Sequence, residues 1–136
     1  MPFNMPFREF KFSYYQRNPD IVESCVDIYY TDKETNLTWF SPSGPEGRCD
    51  GQSVPWLLWP AVGHPLQGTA IRAAFLHDYA YKMGNRPKKQ ADLMFYHALL
   101  EEKDDDPLAK YLGVKLLGFW AWWGRRRQDG KRTTNL

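Results

Sequence analysis

The 136-residue sequence predicts an α+β fold, with a small antiparallel β-sheet at the amino terminus followed by three helices. Residues 7–40 are rich in β-branched and aromatic side chains separated by short polar turns, which is typical of strands. Residues 41–52 contain several prolines and glycines, which oppose regular structure and favour a loop. From residue 69 onward, apolar side chains recur at helical spacing and are divided by glycine and proline.

The composition indicates one domain that needs neither metal ions nor disulfides to fold. Hydrophobic residues make up 43% of the chain and aromatic residues 16%, enough to bury a core. We predict a single domain over residues 1–124 and a basic tail over residues 125–136. No apolar run is long enough for a transmembrane segment, and the amino terminus lacks the charged start and apolar stretch of an export signal.

Charge is distributed unevenly along the chain. The tail 125–136 carries five basic residues and one acidic residue, whereas residues 1–124 together have a net charge of −2. A basic surface covering the whole protein is therefore excluded, and nucleic acid could be contacted only through the tail.

The strands near the amino terminus are predicted from the local pattern of apolar and polar side chains. Residues 7–15 alternate apolar and polar side chains and predict a strand, and residues 18–20 predict the turn after it. Residues 21–31 and 37–40 predict the two strands of a β-hairpin, with the polar run 32–36 between them.

The three helices are predicted by their start and stop signals. The first begins near Thr69, a plausible amino-terminal cap, and runs to about residue 83, where Gly84 and Asn85 end it. The second has Pro87 in its first turn and continues to about residue 103. The third covers roughly residues 108–123. The short connection after the first helix predicts an antiparallel helical hairpin.

The hairpin brings candidate catalytic residues together. His77 and Tyr81 lie on one face of the first helix, while Asp78 points about 100° away. Residues equally distant from the turn at 84–85 lie level with each other, so Asp92 is predicted to face His77. Asp92 would bind one imidazole nitrogen, and the other nitrogen would accept a proton from water.

These residues resemble the helix pair of phospholipase A2, especially its short viral and bacterial forms. The matching strings are A-A-F-L-H-D-Y-A-Y, G-N-R-P and A-D-L-M-F-Y-H-A-L. The resemblance implies that His77 is the general base on water, that Asp92 orients it and that Tyr81 is the helix tyrosine of the family. It further implies a hydrolase acting on lipid or another ester.

The same resemblance implies a calcium site. Asp78 matches the carboxylate ligand of Ca²⁺, and the glycine-rich stretch before the helices lies where the calcium loop of the family would be. The backbone carbonyls expected to bind the metal are those of Gly47, Asp50 and Gly51. Hard cations of this kind prefer oxygen ligands and can polarise an ester carbonyl.

A second resemblance covers more of the chain. The order D-G-x-S-V-P, A-x-x-H-D-Y-x-Y and R-x-x-x-x-A-D-x-x-F is similar to a family of unknown function that is common in bacteriophage genomes. It implies a phage or prophage origin and carries no established activity. The missing export signal predicts synthesis in the host cytoplasm, and the virion is a candidate final location. The function expected is that of an accessory protein with the hydrolase site, acting on lipid or the cell envelope. The alternative is a non-catalytic tail or capsid accessory that contacts other phage structural proteins.

Two residues near the predicted site allow a substrate-binding or a structural role. Ser53 and Asp50 could cap the short segment that follows, or Asp50 could point its carboxylate at the His77 site. Arg86 could stabilise a helix end, pair with a carboxylate or bind a substrate phosphate. His97 shows no pattern and is expected to be a surface or hydrogen-bonded, partly buried residue.

The end of the third helix offers a candidate partner-binding surface. Aromatic and guanidinium groups can cooperate on a membrane interface or an anionic partner. The alternative is a core-packing helix end followed by a polar tail. The residues are Trp120, Trp122, Trp123, Arg125, Arg126 and Arg127.

Overall fold

The computed structural model describes residues 2–15, 18–48 and 70–117. Within them, two small antiparallel sheets precede three helices, which confirms the predicted α+β class. The predicted helix start at Thr69, the last part of the third helix and the tail 125–136 lie outside the described residues. No helix in the described part of the chain is long and apolar enough to cross a membrane.

Each sheet consists of one pair of neighbouring strands. The strands are β1 (Phe12–Tyr15), β2 (Asn18–Ser24), β3 (Ile28–Thr31) and β4 (Thr38–Ser41). Strand β1 pairs with β2 and β3 pairs with β4, both antiparallel. The β3–β4 pair confirms the predicted hairpin over its inner part, with Thr31 opposite Thr38.

Three details of the predicted strands are wrong. Residues 7–9 form a short 3₁₀ turn, so the first strand begins only at Phe12. Residues 18–20, predicted as a turn, belong to β2. The predicted strand 21–31 is split at residues 25–27, because the hydroxyl of Ser24 bonds to the backbone of Val26 and bends the chain locally.

The helices are α1 (Ile71–Met83), α2 (Lys88–Glu101) and α3 (Pro107–Leu117). Gly84 ends α1 in the left-handed conformation, with φ of 63°, and its N–H donates to the carbonyl of Ala80. Glycine adopts this conformation without the steric penalty of a side chain. The stop predicted for α1 and the antiparallel hairpin of α1 and α2 are therefore confirmed.

Helix α1 occupies the centre of the core. Ten of its thirteen residues are buried, because α2 covers one side and β4 lies against another. The apolar side chains of Phe75 and Leu76 pack into the same core as Met94 and Leu99 of α2. A helix buried on all sides places its polar residues in the interior as well, where they need partners.

Arg72 is one such residue and ties the amino-terminal segment to the helices. Its guanidinium pairs with Glu102, donates to the carbonyl of Met5 over 2.7 Å and lies 4.0 Å from the ring centroid of Phe3. The side chains of both charged partners are 4% exposed. The chain before β1 is thereby held against α1.

Candidate functional site

The helical hairpin brings His77 of α1 against Asp92 of α2. His77 Nε2 lies 2.7 Å from Asp92 Oδ1, within hydrogen-bond distance. This contact confirms the predicted pairing and follows from the turn at Gly84, which sets the two residues level on facing helices. An aspartate bonded to one ring nitrogen fixes the orientation and the tautomer of an imidazole.

Tyr81 joins the same carboxylate. Its hydroxyl donates to Asp92 Oδ1 over 2.6 Å, and its ring centroid lies 4.2 Å from that of His77. The spacing of one helical turn places both side chains on one face of α1. The ring of Phe95, 5.0 Å from the imidazole, packs against it from α2.

Lys88 completes the described contacts of Asp92 and was missed by the sequence prediction. Its ammonium lies 2.6 Å from Asp92 Oδ2 and also donates to the carbonyls of Val114 and Lys115 in α3. The available signal was the spacing of Lys88 and Asp92, four residues apart on one helix, which brings opposite charges together.

Hydrogen bonding keeps Asp92 ionised in the interior. Burial alone raises the pKa of this carboxyl group, but hydrogen bonds from His77, Lys88 and Tyr81 and the charge of His77 outweigh burial and lower the pKa. An ionised carboxylate only accepts hydrogen bonds, so Nε2 of His77 carries its proton toward Asp92. In neutral His77 the basic lone pair is therefore at Nδ1.

The cluster formed by His77, Tyr81 and Asp92 is closed to bulk solvent. His77 is 1% exposed, Asp92 2% and Tyr81 0%. Such an arrangement can supply a positioned base, and it can equally bind two helices together through a satisfied polar network. Chemistry on a molecule from solution requires that the imidazole become accessible.

The described residues do not complete a calcium site around Asp78. This residue is buried, one position along α1 from His77. The carbonyls of Glu46 and Arg48, on either side of Gly47, lie 3.3 and 3.4 Å from the ammonium of Lys82. An ammonium thus faces the carbonyls that flank Gly47. No group of three metal-binding side chains occurs among the described residues, and Asp50 and Gly51 lie outside them.

Gly47 itself is required by close packing of the backbone. It ends the 3₁₀ turn Pro45–Gly47, and a Cβ atom at this position would lie 2.0 Å from the carbonyl oxygen of Pro42. This approach accounts for the glycine without any metal.

Arg86 contacts the β3–β4 sheet. Its Nη2 donates to the carbonyl of Thr38 over 3.0 Å, and the guanidinium carbon lies 4.3 Å from the ring centroid of Trp39. Within the described ranges, no carboxylate lies at ion-pair distance from Arg86, so the salt-bridge alternative for this residue is not found there. Other predicted site residues lie outside those ranges, namely Ser53, Trp120, Trp122, Trp123, Arg125, Arg126 and Arg127.

A second histidine–aspartate pair links α2 to the end of β3. His97 Nδ1 lies 2.7 Å from Asp32 Oδ2, and Asp32 Oδ1 accepts a hydrogen bond from the N–H of Glu34. The His97 side chain is 16% exposed and that of Asp32 is 2% exposed, which confirms the expectation of a hydrogen-bonded, partly buried histidine.

Comparison with known proteins places the chain in a family. Residues 24–114 match the family model described as "Protein of unknown function (DUF1353)". The uncharacterized protein y4iH of Sinorhizobium fredii (strain NBRC 101917 / NGR234) is 37% identical over 99 residues, which are 73% of this chain and 40% of the relative. Protein y4jT of the same strain is 31% identical over 79 residues, 58% of this chain and 23% of the relative.

The chain thus spans less than half the length of these two relatives. No solved structure gives a significant match. The expectation of a family of unknown function is confirmed, and the matched region includes both helices of the hairpin that carries His77 and Asp92. The chain belongs to the DUF1353 family.

Proposed function

We propose that the protein is a hydrolase of lipid or related esters in which His77 activates water. The observation that carries this proposal is the 2.7 Å contact between His77 Nε2 and an aspartate that also accepts the Tyr81 hydroxyl. The first contact leaves Nδ1 as the basic atom of neutral His77, and the second holds Asp92 in place.

The proposed reaction needs one base that later acts as an acid. Nδ1 of His77 takes a proton from water as the water oxygen attacks the ester carbonyl carbon. The tetrahedral intermediate then collapses, the bond to the alcohol oxygen breaks, and the imidazolium returns the proton to the leaving alkoxide. The products are a carboxylic acid and an alcohol. Asp92 stabilises the imidazolium between the two steps.

Tyr81 and Lys88 are positioning residues in this scheme. Each donates a hydrogen bond to Asp92, one to each carboxylate oxygen, so the carboxylate cannot rotate away from the imidazole. Because the imidazole is 1% exposed, the proposal requires an opening that admits water and substrate to the ring. The steps above use only the side chains of His77 and Asp92, and participation of Ca²⁺ is decided by the comparison of metal conditions in the assay.

The test is release of fatty acid from phospholipid vesicles by the purified chain, with added Ca²⁺ and separately with a chelator. The variants are His77→Asn and, as a matched control, His97→Asn, which removes the imidazole of the other histidine–aspartate pair. We expect loss of at least about a hundredfold in rate for His77→Asn, the usual contribution of general base catalysis. The rate of His97→Asn should stay near that of the unchanged chain.

The hydrolase proposal fails if fatty acid release is absent in both metal conditions, or if His77→Asn and His97→Asn have equal rates. Dependence on Ca²⁺ would add a metal ligand to the scheme, with Asp78 as the first residue to substitute.

We further propose that the protein encounters its substrate during phage entry or lysis, as the resemblance to phage proteins implies.

A second candidate is a non-catalytic component of a phage particle. It is favoured by the burial of His77, Tyr81 and Asp92, since a closed and satisfied network suits a structural role. Mass spectrometry of particles purified from a host that carries the gene tests this candidate. The chain should be present at a fixed ratio to the capsid or tail proteins, and its absence from intact particles rejects the structural role.

A further inference from the structure

A groove lies between the end of α1 and strand β4, away from His77. Its volume is about 210 Å³, and its lining includes Trp39, Phe40, Tyr79, Met83, Asn85 and Arg86. Tyr79 and Met83 lie roughly 200° and 240° around α1 from His77, so the groove opens on the other side of the helix. Its chemistry is independent of the proposed hydrolase site.

The groove contains two buried hydrogen-bond donors that lack acceptors. Nη1 of Arg86 and Nε1 of Trp39 are both buried and have no hydrogen-bond partner in the part of the chain that the structure describes. The guanidinium stacks on the indole, with 4.3 Å between the Arg86 carbon and the ring centroid, so the donors belong to neighbouring groups. Unsatisfied buried donors are uncommon and costly in folded proteins, and each calls for an acceptor.

The charge of the groove defines the missing acceptor as an anion. Among the described residues, no acidic side chain lines the groove, and Arg86 has no carboxylate at ion-pair distance. A cation this close to the interior is normally neutralised. The aromatic rings of Phe40 and Tyr79, whose centroids are 6.1 Å apart, form an apolar wall beside the Arg86 guanidinium.

We propose that this groove binds an organic monocarboxylate whose apolar body packs on Phe40 and Tyr79. Nη2 of Arg86 is already engaged by the carbonyl of Thr38, so the guanidinium cannot present both terminal nitrogens to a phosphate. A single positive charge matches a singly charged carboxylate, and its two oxygens supply acceptors for Arg86 Nη1 and Trp39 Nε1.

Both nitrogens are shielded from water, so a ligand reaches them only when a covering side chain moves. Met83 is the side chain best suited to move, since it is 50% exposed and its unbranched chain has several rotatable bonds.

The experiment is an NMR titration of the full chain, followed at the indole N–H signal of Trp39. Trp39→Phe identifies that signal by its disappearance. The probes are phenylacetate, its neutral analogue phenylacetamide, and inorganic phosphate. We expect a saturable shift with phenylacetate and affinity at least about tenfold lower for phenylacetamide, which lacks the charge. Phosphate should not displace phenylacetate.

Arg86→Gln should lower phenylacetate affinity at least about tenfold, the effect of one charge-assisted hydrogen bond. Lys89→Gln is the matched control, because Lys89 is exposed on the next helix and outside the lining. The proposal is overturned if phenylacetate gives no saturable shift, or if phenylacetamide binds as tightly as phenylacetate. It is also overturned if phosphate displaces phenylacetate, or if Arg86→Gln and Lys89→Gln bind phenylacetate with equal affinity. Should Arg86→Gln not fold, the comparison of phenylacetate with phenylacetamide on the unchanged chain decides alone. Phenylacetate binding is measured on the unchanged chain without any assay of hydrolysis, so failure here and failure of the hydrolase proposal are distinguishable.

Discussion

Lys88 and Asp92, one turn apart on α2, form an ion pair with 2.6 Å between Nζ and Oδ2. The same ammonium donates to carbonyls of Val114 and Lys115 on α3. One cation therefore neutralises the carboxylate that holds His77 and joins α2 to α3.

Replacing Lys88 by methionine should lower the free energy of unfolding by about 3 kcal/mol. The apolar stem is kept, but Asp92 loses the ion pair while remaining buried, and breaking one side of a buried pair typically costs this much. Urea unfolding measures the change. Lys89→Met, at an exposed position beside it, should change stability by less than about 0.5 kcal/mol. Equal effects of the two substitutions would contradict the assigned role of Lys88.

Tyr81→Phe should cost about 1.5–3 kcal/mol of stability, the range for a hydrogen bond to a charged group. It should also slow the proposed hydrolysis, because Oδ1 of Asp92 would then hold only the imidazole. Chemical unfolding and the vesicle assay report the two effects. Tyr29→Phe is the control, since Tyr29 is 46% exposed. A stability loss no larger than that of Tyr29→Phe would argue against the Tyr81–Asp92 bond.

Acid should remove the stabilisation that Asp92 provides. Its pKa is lowered in the folded state, so the unfolded chain binds a proton more readily at this residue. The contribution to folding is therefore present above the ordinary pKa, near 4, and is lost as pH falls through the lower folded value. The difference in unfolding free energy between the unchanged chain and Asp92→Asn should shrink from pH 6 toward pH 2. A constant difference would contradict the lowered pKa.

The pair of Arg72 and Glu102 should tolerate joint replacement better than single replacement. Burial lowers the pKa of Arg72 and raises the pKa of Glu102, and in each case burial outweighs their mutual attraction. Arg72→Met alone should cost about 3–5 kcal/mol by leaving Glu102 unpaired, whereas adding Glu102→Leu should restore much of the loss. A double-mutant cycle in urea measures both. A double variant less stable than Arg72→Met would contradict this expectation.

The helical hairpin and its central contact were predictable because they depend on local rules. Gly84 can end a helix where other residues are strained, and Pro87 immediately precedes the next helix, so the turn was visible in the sequence. Once the turn is known, the level positions on two antiparallel helices follow by counting. His77 and Asp92 meet for that reason, and Tyr81 follows from helical periodicity.

Contacts between distant segments could not be predicted in this way. His97 and Asp32 are 65 residues apart, and no periodicity relates a helix position to the end of a strand. Arg86 and Trp39 likewise meet only because β4 packs on α1. The break between β2 and β3 depends on Ser24, whose hydroxyl competes with strand pairing, a choice that β-propensity alone does not resolve.

The burial of α1 has an evolutionary consequence. Because His77 and Tyr81 fill the interior and also contact Asp92, selection for a folded chain and selection for the proposed hydrolysis would act on the same atoms. A descendant without such a reaction would still lose stability on replacing these residues, because a partly satisfied buried polar network is less stable than an intact one. Conversely, a new reaction could arise on this hairpin without first having to assemble its base, because folding already maintains it.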